Sequence, residues 1–237
     1  MRLLAACLSL CAPGAVAETI LSAKYTNPTT RYGHAILGDA VEWGGLSITV
    51  GTEAENQSFA ITLPDNQVFE DLTPRLWDIT GDGAPEVVVV LTQIDLGASL
   101  VVIGLRDGVP VKIAATPHIG RTNRWLAPIG AADLDNDGRL EVAYIDRPHL
   151  AKTLRVWEYD GTALRLDAEL AGLTNHRIGE DFITGGIRNC GAGPEIITVD
   201  AGWQSVMSTQ YDDGELHSRP LSDYTGQKAV ADALACR

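Results

Sequence analysis

The chain repeats itself. The run Asp78-Ile79-Thr80-Gly81-Asp82-Gly83-Ala84-Pro85-Glu86-Val87 returns 55 residues later as Asp133-Leu134-Asp135-Asn136-Asp137-Gly138-Arg139-Leu140-Glu141-Val142. Another 54 residues on, Gly193-Pro194-Glu195-Ile196-Ile197 echoes Ala84-Pro85-Glu86-Val87-Val88. A second marker keeps nearly the same period: Asp107-Gly108, Asp160-Gly161 and Asp213-Gly214 stand 53 residues apart, each between β-rich runs as a hairpin turn would. Two independent markers with one period call for a structure built from one recurring supersecondary unit. An ordinary β-sandwich imposes no such spacing.

Within one period the apolar runs are short, branched or alternating, and no long segment carries a helical period. The second repeat reads as strands at 86–91, 100–105, 109–115 and 125–134; the third as strands at 141–145, 154–159, 164–169 and 181–188. Four strands in about 54 residues is the size of a β-propeller blade. The first repeat is fainter, with strands at 32–37, 46–51, 59–63 and 68–79. The last has three, at 195–199, 205–211 and 215–220. The expected fold is all-β: a single-domain small propeller over 18–237, with about four blades of four antiparallel strands. Residues 19–24 are expected to supply the last blade's missing strand and close the ring.

Residues 1–17 read as a signal peptide: Met1-Arg2 starts it, Leu3 to Leu10 is apolar, and Ala15-Val16-Ala17 is a small-x-small cleavage site. That implies a periplasmic or secreted protein. Lipid attachment at Cys7 or Cys11 fits poorly, because too few residues precede the first and Leu10 precedes the second. The rest of the chain contains no run suited to a transmembrane helix. Cleavage leaves Cys190 and Cys236, and an even count in an exported chain favours a disulfide over two buried thiols. With 18 Lys+Arg against 31 Asp+Glu the net charge is −13. No basic face is available for nucleic acid or for an anionic lipid surface.

The acidic runs suggest a cation. Asp133, Asp135 and Asp137 occupy positions 1, 3 and 5 of a tight loop, Arg139 offers a carbonyl from position 7 and Glu141 a carboxylate from position 9. Alternate residues of such a loop converge, and a flexible all-oxygen set suits Ca²⁺ better than Mg²⁺ or zinc. No Glu stands at position 12 and strands flank the loop, so it is not an EF-hand. The loop of Asp78, Thr80, Asp82, Ala84 and Glu86 is a poorer version with one carboxylate lost. In the third loop, Arg188-Asn189-Cys190-Gly191, the acids are gone, and the Arg188 guanidinium is expected where the cation would sit.

The stretch Ile129-Gly130-Ala131-Ala132-Asp133-Leu134-Asp135-Asn136-Asp137-Gly138-Arg139-Leu140-Glu141-Val142 resembles the FG-GAP/VCBS repeat of integrin-type and bacterial exported propellers, with a good match also at 76–88. The resemblance implies a β-propeller with structural Ca²⁺ in its blade loops. It implies no single function, since such repeats serve adhesion, binding and carbohydrate-active proteins alike. The Phe-Gly pair of the family pattern does not precede the loops.

If the acidic loops join one blade to the next, they share a face with the Asp-Gly turns, and the remaining connections open on the opposite face. Arg121, Arg124, His149, His176, Arg177 and Trp203 collect there, near Arg147, His118, Asn123 and Asn175. In so acidic a chain this set suggests either a pocket for an anionic or sugar-like ligand or a brace for long loops against Asp146, Glu180 and Asp181. The five Trp residues do not recur at one repeat position, which suits wedges between sheets better than a stacking platform. No HExxH, GxSxG, P-loop or GxGxxG is present, and no catalytic set is legible. The leading expectation is a monomeric binding module for a protein or glycan. A hydrolase or lyase acting on a saccharide or phosphate ester through His149 and His176, and a bare assembly scaffold, are the alternatives.

Overall fold

The computed structural model describes residues 18–52 and 55–237; the expected leader at 1–17 lies outside the described residues. An N-terminal meander comprises β1 (Thr19–Thr29), β2 (Glu42–Gly51) and β3 (Asn56–Thr62). A first repeat unit follows: β4 (Gln67–Phe69), β5 (Arg75–Trp77), β6 (Glu86–Gln93), β7 (Gly97–Arg106) and β8 (Val109–Ala115). The next comprises β9 (Leu126–Ala132), β10 (Glu141–Asp146), β11 (Thr153–Tyr159) and β12 (Leu164–Ala171). The last comprises β13 (Leu173–Thr174), β14 (Gly186–Asn189), β15 (Pro194–Asp200), β16 (Ser205–Asp212) and β17 (Glu215–Asp223), and helix α1 (Gln227–Leu234) ends the chain.

The strands form three antiparallel sheets. The middle one, β9 to β12 in order, is a plain four-stranded unit. The last repeats it, with the inner strand broken into β13 and β14, both paired to β15. The first shows the same break, β4 and β5 both pairing β6, and β4 also touches β2 at Trp43↔Phe69. That single bridge fuses the meander and the first unit into one eight-stranded sheet.

The alternation of side chains explains why the central strands are apolar on both faces. In β6, Val87 and Val89 pack with Leu46 and Ile48 of β2, while Val88 and Val90 pack with Leu126 and Val142 of the middle sheet. In β10, Val142 and Tyr144 face the first unit, and Ala143 and Ile145 face Ile196 of the last. Successive residues point to opposite faces, so a sheet sandwiched between two others reads as a continuous apolar run. Each such Val or Leu removed from water contributes about 2 kcal/mol. Trp125 and Trp157 fill the space between the first unit and the middle sheet, the wedge role expected of them. The outer strand β17 is mostly exposed and polar, and β12 carries Arg165, Asp167 and Glu169 on its exposed side, charges that discourage pairing with another chain.

Four expectations are corrected. First, the acidic loops do not join units. They are the β9–β10, β5–β6 and β14–β15 hairpins, so 125–134 begins the middle sheet rather than ending the first unit, and 181–188 likewise contributes the inner strand of the last sheet. Second, 32–37 forms no strand but lies in the β1–β2 connection. Third, the N-terminal strand does not complete the last sheet: β1 pairs along its length with β2, from Thr19↔Gly51 to Thr29↔Glu42. Fourth, the last sheet ends in a helix that the sequence reading lacked. Val230 and Ala233 of α1 pack on Ile197, Val199 and Val206, covering the face that a further sheet would otherwise cover. Eight residues without a side-chain N-cap make a marginal helix alone. Tertiary packing holds it, together with the Cys190–Cys236 disulfide, which forms as expected.

Two of the Asp-Gly pairs are two-residue hairpin turns as read, whereas Asp160-Gly161 lies in a four-residue β11–β12 loop in which only the glycine is left-handed. Asp107 and Gly108 have φ of 52° and 74°, and Asp213 and Gly214 have 43° and 85°, the left-handed pair that matches strand twist.

Candidate functional site

In the β9–β10 hairpin the backbone gathers its own carboxylates. The Leu134 amide donates to Glu141 Oε2 at 2.7 Å, the Gly138 amide to Asp133 Oδ2 at 3.1 Å and the Asp137 amide to Asp135 Oδ1 at 3.2 Å. Asn136 and Gly138 take left-handed φ of 64° and 89°, which wraps the loop around that point. One oxygen each from Asp133, Asp135 and Glu141 then lies within 4.8 Å of the others. Asp133 Oδ1 is buried without a hydrogen-bond partner. Glu141 is 1% exposed, and burial, reinforced by the negative Asp135, Asp137 and Asp133, pushes its carboxyl up to about 7 against the pull of the Leu134 amide. Three close carboxylates with an orphan oxygen fit a hard divalent cation. Asp137 stands aside: it accepts from the Arg139 amide at 2.8 Å and from Arg139 Nε at 2.7 Å, and Arg139 also reaches Glu158 at 2.7 Å.

The equivalent loops satisfy their carboxylates with hydrogen bonds or an arginine. In the β5–β6 hairpin, Glu86 accepts from the Ile79 amide at 2.7 Å, the Thr80 amide at 3.2 Å and the Thr80 hydroxyl at 3.2 Å. Asp78 accepts from the Gly81 and Gly83 amides, and Asp82 from the Ala84 amide. These carboxylates form no convergent trio among the described residues. In the β14–β15 hairpin, Arg188 Nε and Nη2 donate to Glu195 Oε2 at 2.8 and 2.6 Å, and both side chains are under a tenth exposed. Ser208 and Arg219 complete the Glu195 shell. The Arg188 guanidinium therefore stands against the glutamate that corresponds to Glu141, as expected of it.

A cavity of about 290 Å³ opens on the opposite face. The β1–β2, β8–β9 and β10–β11 connections and the segment after β13 supply its walls, including His34, Arg124, Arg147, His149, Leu150 and Ile178. Of the six ligand-site candidates, Arg124 and His149 line it. His176 lies fully buried behind His149, with His149 Nε2 3.0 Å from His176 Nδ1 and His176 Nε2 2.9 Å from the Glu180 carbonyl. Burial, with His176 and His34 nearby, holds His149 down at about 4, so it is neutral at pH 7. Arg177 lies over the Trp203 ring at 4.1 Å and the Tyr224 ring at 5.6 Å, a separate cluster braced against α1. Arg121 is exposed and lines no part of the cavity. His118 and Asn175 are braces, bonded to the Gly97 and Ala127 carbonyls. Arg147 is one too, paired with the buried Asp146 at 2.9 and 2.8 Å.

The sequence reading missed His34. Its Nδ1 lies 2.5 Å from Glu70 Oε1, and the Thr92 hydroxyl donates to Glu70 Oε2 at 2.5 Å. Glu70 is fully buried beside Asp71 and Glu42. Asp71 pairs with Arg75, whereas Glu42 has no ion pair among the described residues, and burial together with Glu70, Asp39 and Asp71 pushes it up to about 9. No repeat marker flags these residues, because the first repeat had decayed.

No curated protein matches the chain. Residues 78–144 match the FG-GAP-like repeat family, a span that runs from the first acidic hairpin through the second and into β10. FG-GAP repeats are typically involved in binding. The part of the chain that carries the two acidic hairpins is thus similar to an FG-GAP-like repeat.

Proposed function

We propose that the protein is an exported, calcium-stabilised binding module of propeller-blade units that engages a protein or glycan through the face opposite its acidic hairpins. The observation that carries the binding reading is the cavity lip. Leu150 is 63% and Ile178 69% exposed, and the cavity between them is lined by Arg and His side chains. Exposed apolar side chains rimming a polar cavity mark an interaction site. Aliphatic rather than aromatic side chains at the lip favour a polypeptide over a glycan, which would stack on exposed rings. Ca²⁺ would be held by Asp133, Asp135 and Glu141 and supply charge neutralisation to a partly buried carboxylate cluster, remote from the binding face. The Cys190–Cys236 disulfide suits an oxidising compartment.

The cavity lining contains no Ser, Thr, Cys, Asp or Glu, and His149 and His176 are spent on each other. The hydrolase alternative therefore has no side-chain nucleophile in the lining, although His34, oriented by Glu70, could act as a base. The test is a photo-crosslinking residue placed at Leu150 and, separately, at Asp213 on the hairpin face, in the protein expressed in its host. Adducts from Leu150 alone are expected. Adducts from neither position, or equally from both, would refute a loop-face binding module.

A further inference from the structure

The charges around the cavity specify its occupant. Arg147 is paired with Asp146, His34 Nδ1 lies 2.5 Å from Glu70 Oε1, and burial keeps His149 uncharged at pH 7. Arg124 is different: one Nη donates to the Asn123 carbonyl at 2.8 Å, and among the described residues no carboxylate lies within ion-pair reach. One uncompensated guanidinium in a chain of net charge −13 is a place for one negative charge. His34 adds a second polar contact, because Glu70 occupies Nδ1 and, among the described residues, Nε2 makes no hydrogen bond. Beside these stand Leu150 and Ile178, the two most exposed large apolar side chains among the described residues. Asn123 and Arg147 hold the wall in left-handed backbone conformations, with φ of 53° and 47°, which non-glycine residues adopt at a cost.

Resting on the binding-module reading, we infer that this cavity captures the C-terminal carboxylate of a partner polypeptide whose last side chain is aliphatic, with Arg124 and His34 holding the carboxylate and Leu150 and Ile178 the side chain. Two features select a chain end. Arg124 is the one lining guanidinium without an ion pair among the described residues, which matches a monoanion rather than a phosphate dianion. The cavity lies at the small end of ligand sites, enough for an end group and little more. Capture of a terminal carboxylate beside a side-chain pocket is an established mode of peptide recognition.

The experiment uses the disulfide-bonded protein and calorimetric titration with acetyl-Gly-Gly-Leu acid, its C-terminal amide, acetyl-Gly-Gly-Ser acid, hexanoate and glucuronate. The leucyl acid is expected to bind, with the amide and the seryl acid each weaker by about tenfold or more. Arg124→Gln should abolish the preference for acid over amide. Ile178→Ser, a change at an exposed position, should narrow the preference for Leu over Ser while leaving the acid preference. Equal binding of acid and amide, no binding of any peptide, or discrimination unchanged in Arg124→Gln would overturn the inference. Hexanoate binding as tightly as the peptide would reassign the site to a free organic acid, and glucuronate doing so would reassign it to an acidic glycan; either overturns it. Crosslinking from Leu150 with no peptide binding would remove this inference and leave the binding-module reading standing.

Discussion

The sharpest consequence of the acidic hairpin is a change of sign. Asp135→Asn keeps the Oδ1 that accepts the Asp137 amide but removes one of three charges whose oxygens lie within 4.8 Å. Without a cation, each pair of full charges at that separation repels by about 3.5 kcal/mol or more at an effective dielectric constant near 20. Solvent screening at this partly exposed residue and protonation of Glu141 cut the relief to about 1 kcal/mol, a rise of roughly 2–4 °C in melting temperature for a chain this size. With a dissociation constant of about 10 µM, within the range of carboxylate-rich loops, about 1 mM calcium stabilises the wild type by about 2.7 kcal/mol, or roughly 5–10 °C. The variant forfeits most of that. Thermal unfolding of both proteins in chelator and in calcium should therefore give a variant more stable than wild type in the first and less stable in the second. Asp137→Asn, whose carboxylate is turned to Arg139, should change little in chelator. Equal losses for Asp135→Asn in both conditions would mean that the hairpin is held by its hydrogen bonds alone, and the cation reasoning would fail.

Other expectations follow from the same contacts. Arg188→Met removes the two-pronged partner of Glu195 in the last sheet, leaving it Ser208 and Arg219, and should cost about 2–3 kcal/mol by denaturant unfolding, part of which should return in the double variant with Glu195→Gln. Cys190→Ser opens a loop that closes across 46 residues and should lower stability by about 4 kcal/mol at most, with proteolysis cutting first around α1. Glu42→Gln should flatten the pH profile. The folded-state pKa of about 9 lies above the ordinary value of 4.5, so the contribution of protonated Glu42 is full below about pH 4.5 and is lost as pH rises toward 9. At pH 8 the variant should melt several degrees above wild type, and an unchanged gap between pH 5 and pH 8 would contradict the assignment.

What was legible in the sequence was local and periodic. Hairpin turns at Asp107-Gly108 and Asp213-Gly214 were readable because left-handed φ at two successive residues strongly restricts residue choice. The runs 86–91 and 141–145 were readable as strands because β-branched and small apolar residues pack well on a pleated surface buried on both sides. Convergence of Asp133, Asp135 and Glu141 followed from alternation within one short loop. The place of Arg188 followed from its alignment with the acidic positions. The two cysteines could be paired because only two remain once residues 1–17 are set aside as an expected leader.

Strand partners are another matter. A strand before an acidic hairpin can end one sheet or begin the next with the same alternation, and only the hydrogen-bond ladder of β9 to β10 decides between them. The N-terminal strand could have completed the last sheet on pattern alone; pairing with β2 and the docking of α1 on Ile197, Val199 and Val206 settled its place. The cavity was half visible. Arg124 and His149 were legible as unusual polar residues on predictable loops, but His34 enters from a connection with no repeat signal, and its meeting with Glu70 spans 36 residues. Local sequence determines turns, strand faces and any ligand set contained in one loop, because those depend on backbone geometry over a few residues. Which sheet a strand joins, which charges are neutralised and which are left open depend on contacts between distant segments, and tertiary structure alone decided them.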